Sequence, residues 1–231
     1  KDLGDQYVRV STIGPGGERL VRVACLINDR FRAAGRTGLG AVMGSKNLKA
    51  VAVRGAHSIA VAEPDRLQKM CEDLYERAKG PATSKYRDMG TAANVLTLNS
   101  QAAMPTRNYQ SATFEGAETV SGEYLKEHYV VKIQGCSACP MRCEHIAVVP
   151  EGQYEGATAR VEYEPTMAFG PYCGVSRLDS VIRAIELCDL YGIDAISTGI
   201  IVGFGMECYE KGLIDGKQTG GLELEFGNHE A

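Results

Sequence analysis

NDRFRAAGRTGLGAVMGSKNLKAVAVRG, residues 28–55, separates two kinds of sequence. Before it, YVRVSTIG (7–14) and LVRVACLI (20–27) read as strands joined by the hairpin-like GPGGER, because apolar residues alternate and glycine and proline punctuate the join. The stretch itself is a glycine-rich basic loop that runs into another strand, AVAVRG (50–55). Beyond residue 57 the apolar period becomes helical. Pro64 opens a helix with Leu67, Met70, Cys71, Leu74, Tyr75 and Ala78 on its spacing. KGPATSKYRDMG (79–90) reads as a loop, TAANVLTLNSQAAMP (91–105) as a helix up to its proline, and SGEYLKEHY (121–129) as a short helix. VVPEGQYEGATARVEYEP (148–165) reads as a hairpin-like excursion. Ser176 and Asp179 form a capping-box pattern ahead of a helix carrying Val181, Ile182, Ile185 and Cys188, which should end near Gly192. Asp194 can cap a last helix from Ala195 to about Lys211. The fold class is α+β: a β-rich N-terminal part, residues 1–57, followed by a mainly α-helical domain, residues 58–231.

Composition narrows the function classes. Hydrophobic residues make up 44% and charged residues 23% of the 231, enough for a soluble globular core. Formal net charge is −4, which argues against a nucleic-acid partner. No apolar run is long enough to span a bilayer, and no secretory signal is visible. The chain starts at Lys1 inside a strand-like alternation and stops at GLELEFGNHEA, which reads as part of a longer protein. Eight cysteines are many, yet five are scattered (Cys25, Cys71, Cys173, Cys188 and Cys208) in apolar or helical contexts. That is no disulfide scaffold, and it points to a reducing, cytoplasmic setting.

The other three cysteines cluster. GCSACPMRC (135–143) sets Cys136, Cys139 and Cys143 on one turn favoured by Gly135, Ser137, Ala138 and Pro140. Thiolates suit soft metals, and a [4Fe–4S] cubane takes four of them. Zinc sites usually offer two ligand pairs, and no second pair accompanies this one. Zinc and a redox C-x-x-C remain open, and His145 offers a nitrogen in a crowded position. Cys173 is the one scattered cysteine flanked by turn-formers. The glycine-rich stretch reads as an anion cradle, with backbone N–H groups exposed by glycine and charge from Arg32, Arg36, Lys46 and Lys49. It matches neither a phosphate-binding Walker loop nor G-x-G-x-x-G. A plain structural turn is the rival reading.

Taken together these segments resemble the tungsten-containing aldehyde:ferredoxin oxidoreductase family. Residues 28–55 and 135–143 carry the resemblance, continued by GTAANVLTLNSQAAMPTRNY (90–109), EYEPTMAFGPYCGV (162–175) and DLYGIDAISTG (189–199). The resemblance implies that residues 1–57 end a pterin-binding base domain. It implies tungsten, or molybdenum, held by two pterins, a [4Fe–4S] cluster beside one pterin, and magnesium bridging the pterin phosphates. Arg32, Ala33 and Gly35 of RAAG would contact the cofactor, with the Ala33 carbonyl on magnesium. Cys136, Cys139 and Cys143 would be cluster ligands, with the fourth cysteine in a C-terminal domain outside this sequence. Asp189, Ile193 (usually leucine) and Asp194 match the family's pterin motif, although helix capping alone would also explain them. Glu164 matches the candidate catalytic carboxylate, followed by Pro165 where threonine or serine is usual. Glu162, two residues before it, is read as structural, while a Glu164 carboxyl walled in by apolar neighbours would have a raised pKa and could shuttle a proton. A solvated strand carboxylate is the rival reading of Glu164. Arg183 occupies the position of the glutamate that holds an intersubunit iron in some relatives, so a homodimer rests on the resemblance alone.

The implied activity is oxidation of an aldehyde to a carboxylic acid, with electrons passing through the cluster to ferredoxin. Two alternatives stand beside it: a related tungsten enzyme reducing an aromatic acyl-CoA, and an iron–sulfur electron-transfer module without chemistry of its own. A structural zinc domain is a third. On its own the 231-residue chain is expected to be inactive.

Overall fold

Pro15 decides how the N-terminal region departs from a simple hairpin. In the computed structural model, which describes residues 4–231, GPGGER is a short helix, α1 (Pro15–Glu18), rather than a turn. Proline at the first helical position has no N–H to lose and a φ already set for the helix. The strand expected after it is therefore delayed and shortened. Strand β1 (Arg9–Ile13) pairs antiparallel with β2 (Leu26–Asn28), only the end of the expected second strand. The glycine-rich stretch holds one strand more than expected, β3 (Arg32–Ala34), on the far side of β2. It then forms α2 (Leu39–Ser45) and leads into β4 (Ala50–Val53), giving the order β3-β2-β1-β4.

The glycines of α2 serve close packing. A Cβ on Gly40 would come 2.6 Å from the Cys25 carbonyl oxygen, and one on Gly44 would overlap the Gly17 carbonyl oxygen. The helix thus lies directly on the backbone of α1 and of residues 24–25. Lys49, expected to feed charge to an anion cradle, instead pairs with Glu18 at 2.6 Å and donates to the Ile13 carbonyl.

Helices dominate after residue 63. Helix α3 (Pro64–Lys79) buries none of its residues. The segment expected to be a loop is helical instead: a 3-10 turn (Pro81–Thr83) and α4 (Ser84–Met89). Arg87 explains this, because its guanidinium donates to the carbonyls of Ala78 and Gly80 and caps the end of α3. Next come α5 (Asn94–Ser100) and α6 (Gly122–His128), the latter capped by Ser121. An antiparallel meander follows, β5 (Val130–Gln134), β6 (Glu144–Val148) and β7 (Thr158–Val161). Three helices close the fold: α7 (Tyr163–Phe169), α8 (Leu178–Tyr191) and α9 (Ala195–Glu210). The architecture is α+β, with one core formed by α5–α9 and the inner faces of β6 and β7, including Val95, Leu125, Ala147, Val161, Ile182 and Met206.

The capping box does not form. Helix α8 starts after Arg177, whose guanidinium pairs with Asp179 at 2.6 Å, while the Ser176 carbonyl accepts from Thr119. The helix ends as expected on Gly192, in the left-handed conformation at φ 65°. Asp194 caps α9 through a 2.7 Å bond from the Ser197 N–H. The corner between α8 and α9 is also where the N-terminal region attaches. Ala24 bridges Ile193, Cys25 N–H donates to the Gly192 carbonyl, and Asp194 N–H donates to that of Val23. No helix among the described residues is long and apolar enough to cross a membrane.

Candidate active site

Cys136, Cys139 and Cys143 lie in the loop of a β-hairpin. Strands β5 and β6 pair up to Gln134 and Glu144, so the nine residues between must turn back within one strand spacing. Two residues in left-handed conformations, Ala138 and Arg142, make that reversal possible. Gly135 lies under Arg142, where a Cβ would come 3.0 Å from the Arg142 Cα. Arg142 then donates to the Ile133 carbonyl at 2.8 Å and fastens the base of the loop. The Cys139 N–H closes a turn onto the Cys136 carbonyl. All three are free thiols. Burial raises the Cys143 thiol pKa, and the negative charge of Glu162 adds to it.

Among the described residues, no three His, Cys, Asp or Glu side chains converge as one metal ion would require. A zinc ion at about 2.3 Å from each sulfur needs them roughly 4 Å apart. A cubane puts each cysteine on a separate iron, so its ligands need not converge on one point. His145 is absent from this set: fully buried, its ring nitrogens face the carbonyls of Cys143 and Asp88 at 3.3 Å each. Cys173 is absent too, its buried thiol donating to the Ala168 carbonyl and its pKa pushed to about 12 by burial.

Beside the hairpin loop lies a cavity of about 240 Å³ that gathers most of the other candidate residues. Ala33 and Gly35 line it from the edge strand β3 and the turn after it, Asp189, Ile193 and Asp194 from the α8–α9 corner, and Glu164 from the first turn of α7. Gly35 is required by proximity: a Cβ there would come 2.9 Å from Asp194 Oδ1. The Asp194 carboxylate therefore caps α9 and faces the RAAG turn at once. Arg36 reaches the same helix end, 3.4 Å from Ser197 Oγ and 3.9 Å from Asp194 Oδ2.

Two expectations for the carboxylates are corrected. Glu162 and Glu164 do not lie on a strand; β7 ends at Val161, Glu162 stands at the N-cap position of α7 with no side-chain capping bond, and both line the cavity. The alternation breaks because proline at residue 165 is readily accommodated in a helix's first turn. Glu164 is exposed rather than walled in. Glu162 is the one whose pKa is raised, first by burial and then by the charges of Glu164 and Glu144, against the pull of Arg160.

Sequence reasoning missed two residues of this site, Arg160 and Glu144, and the link that Arg32 makes to them. Arg160 lines the cavity and pairs with Glu162 at 3.5 Å. Glu144 accepts from Arg32, Nη2 to Oε1 at 2.5 Å, and from Arg160 Nη1 at 3.3 Å. Arg32 also donates to Cys136 Sγ at 2.9 Å. The period-2 spacing of Arg160 and Glu162 was the available signal, since it places Glu162, one residue past the end of β7, on the side that Arg160 faces. Nothing local marked Glu144.

Asp189 gives a pH prediction. Burial lifts its pKa to about 6, with Glu162 and Glu186 adding and Arg160 opposing. Its unfolded value is about 3.9, so the native chain holds the proton longer than the unfolded one. Stability of the cofactor-free chain should fall as pH rises from about 4 to about 6 and level off above. Asp189→Asn should flatten that slope and stabilise the chain at pH 7 by on the order of 2 kcal/mol, allowing for partial exposure. Thermal unfolding across pH 4–7 reads the difference, and an unchanged slope would show that Asp189 does not carry it.

A carboxylate-lined cavity, an arginine bridge and a cysteine hairpin loop lie side by side, and comparison with known proteins shows the family. Residues 1–55 match the family model for the aldehyde ferredoxin oxidoreductase N-terminal domain, and residues 67–231 match the model for domains 2 and 3. The chain belongs to the aldehyde ferredoxin oxidoreductase family. It is 40% identical over 239 aligned residues to the tungsten-containing aldehyde ferredoxin oxidoreductase of Pyrococcus abyssi, covering 100% of this chain and 38% of that protein. It is 30% identical to the WOR-like subunit of an aliphatic sulfonate oxidoreductase of Pyrococcus furiosus, over 95% of this chain and 35% of that subunit. Among solved structures, the active-site complex BamBC of benzoyl coenzyme A reductase superposes with a TM-score of 0.75 at 24% identity, over 97% of this chain and 36% of that one. That likeness is one of fold. The chain thus spans under two fifths of the length of these relatives, and its family is one of oxidoreductases.

Proposed function

We propose that the protein oxidises an aldehyde, with water, to a carboxylic acid, releasing two protons and passing two electrons through a [4Fe–4S] cluster to a ferredoxin-type acceptor. One observation carries this reading: Arg32 joins the cysteine hairpin loop to the turn that lines the carboxylate cavity, bonding Cys136 one residue before Ala33. A one-electron relay next to a substrate cavity is what a two-electron oxidation with a one-electron acceptor needs. The donor set fits the implied groups. Three thiols on one turn suit three irons of a cubane, and Asp189 and Asp194 offer acceptors to the N–H groups of a pterin. Arg32, Ala33, Gly35 and Ile193 would complete the pterin contacts, and the Ala33 carbonyl would hold magnesium.

When bound, the tungsten (or molybdenum) bis-pterin supplies the two-electron redox centre; the chain's own residues position and deprotonate. Glu164, open to the cavity, takes a proton released as the aldehyde hydrate is oxidised. Arg36 and Arg160 offset part of the charge of the four carboxylates that line the cavity, Glu162, Glu164, Asp189 and Asp194. The fourth cluster cysteine comes from sequence beyond these residues.

Metal analysis of the native protein, purified without oxygen from its source, tests the reading. About four irons and one tungsten or molybdenum per chain are expected, with aldehydes reducing a viologen or ferredoxin. Iron without tungsten or molybdenum would favour the electron-transfer module, and activity on an aromatic acyl-CoA instead of aldehydes would place the protein with the acyl-CoA reducers. One zinc and no iron would overturn the reading altogether.

A further inference from the structure

Glu144 is only 2% exposed, yet one of its carboxylate oxygens, Oε2, has no hydrogen-bond partner. An ionised group buried in that way is costly unless closely paired. Its other oxygen carries all the pairing: Arg32 Nη2 at 2.5 Å, Arg160 Nη1 at 3.3 Å and the Cys136 thiol at 3.7 Å. The placement follows from the sheet. Ile146 pairs with Arg160 across β6 and β7, so Glu144, two residues along the same face, is the diagonal neighbour of Arg160. Arg32 arrives from the other sheet, on edge strand β3. One carboxylate therefore holds two guanidiniums that serve different places: Arg32 on the cysteine loop, and Arg160 on Glu162 at the cavity wall.

We infer that Glu144 is a positioning residue that fixes the Arg32 guanidinium against the Cys136 sulfur and so sets the reduction potential of the cluster held there. The inference rests on the cluster reading above. An N–H donor carrying positive charge at a ligand sulfur stabilises the added electron and raises the potential. The Arg32 side chain is one-third exposed and has four flexible torsions to order. Among the described residues, Glu144 is the acid in contact with it that can hold it at the sulfur. The inference distinguishes two roles with opposite signs. As a bare charge near the cluster, Glu144 lowers the potential; as the anchor of Arg32, it raises it.

Redox titration of the whole protein, followed by the EPR signal of the reduced cluster, separates them. Glu144→Asp keeps the charge but withdraws the carboxylate by one methylene. It is expected to make the cluster at least tenfold harder to reduce at a fixed poise, a fall of ~59 mV. Arg32→Ala should do the same, and adding Glu144→Asp to Arg32→Ala should change nothing further. Glu144→Gln keeps length and an acceptor oxygen and should not lower the potential. Iron content is measured in every sample. Unchanged potential in Glu144→Asp with full iron overturns this inference and leaves the cluster reading intact, whereas an iron-free wild-type protein overturns the cluster reading first. Should Glu144→Asp not fold, Glu144→Gln is compared in native and Arg32→Ala backgrounds. Equal shifts in the two would reduce Glu144 to a charge, and unequal shifts would uphold the anchoring role.

Discussion

Glu164→Gln is expected to lower kcat for aldehyde oxidation by about 10²–10⁴-fold, with iron and tungsten contents unchanged. The substitution keeps the volume and polarity of the side chain and removes its capacity to take a proton. Glu164 is suited to the role by position: it occupies the first turn of α7, exposed to the cavity, in a turn stiffened by Pro165. Its neighbour Glu162 provides the control. Glu162 is half-enclosed, paired with Arg160, and holds its proton more tightly because of burial. Glu162→Gln should therefore perturb cavity charge and cofactor retention more than the chemical step. A small effect of Glu164→Gln beside a large fall in kcat for Glu162→Gln, at equal metal content, would transfer the proton-accepting role to Glu162. Wild-type turnover in both would remove carboxylate catalysis from the mechanism.

What the sequence disclosed followed its local chemistry. The left-handed cap at Gly192, the capping of α9 by Asp194 and the turn in the cysteine loop all depend on residues within a few positions of one another, and all three are found. The errors arose where a distant or competing group determined the outcome. The segment 79–90 has loop composition, but Arg87 reaches back to the carbonyls of α3 and winds it into helix. The strand pattern of ARVEYE continues past Val161 on paper, but the chain turns into α7 at Glu162 and brings two carboxylates to one cavity. Glu144 was illegible for the same reason. Its significance comes from Arg32, 112 positions away and on a different sheet, and no local spacing announces such a pair. The glycine-rich stretch lay between these cases, its density visible at once while its use in packing depended on what lies beneath α2.

Gly44→Ala tests that use directly, and a net loss of at least about 2 kcal/mol of stability is expected. Two effects oppose each other. Alanine in a helix interior is favoured over glycine by about 1 kcal/mol, so an unobstructed site would be stabilised. Here the new methyl would overlap the Gly17 carbonyl oxygen, a backbone atom that cannot rotate away as a side-chain tip would. The space beside Gly17 is itself filled, since even a Cβ there would come 2.8 Å from Ile13 Cβ and 2.9 Å from the Gly40 carbonyl oxygen, so α1 has little room to shift and relieve the clash. The obstruction therefore outweighs the propensity. In a chain of this size the loss corresponds to a fall in Tm of roughly 4–8 °C. Gly55→Ala is the matched control, since nothing lies within 4 Å of a Cβ there, and it should be close to neutral. The effect should extend to the site, because α2 follows directly on the RAAG turn and Gly35 has no room to move toward Asp194. Displacing α2 from α1 would carry Arg32 and Gly35 with it. Gly44→Ala should accordingly weaken cofactor retention in the whole protein although the residue touches no part of the cavity, and equal Tm values for Gly44→Ala and Gly55→Ala would show that the close packing of α2 carries no weight.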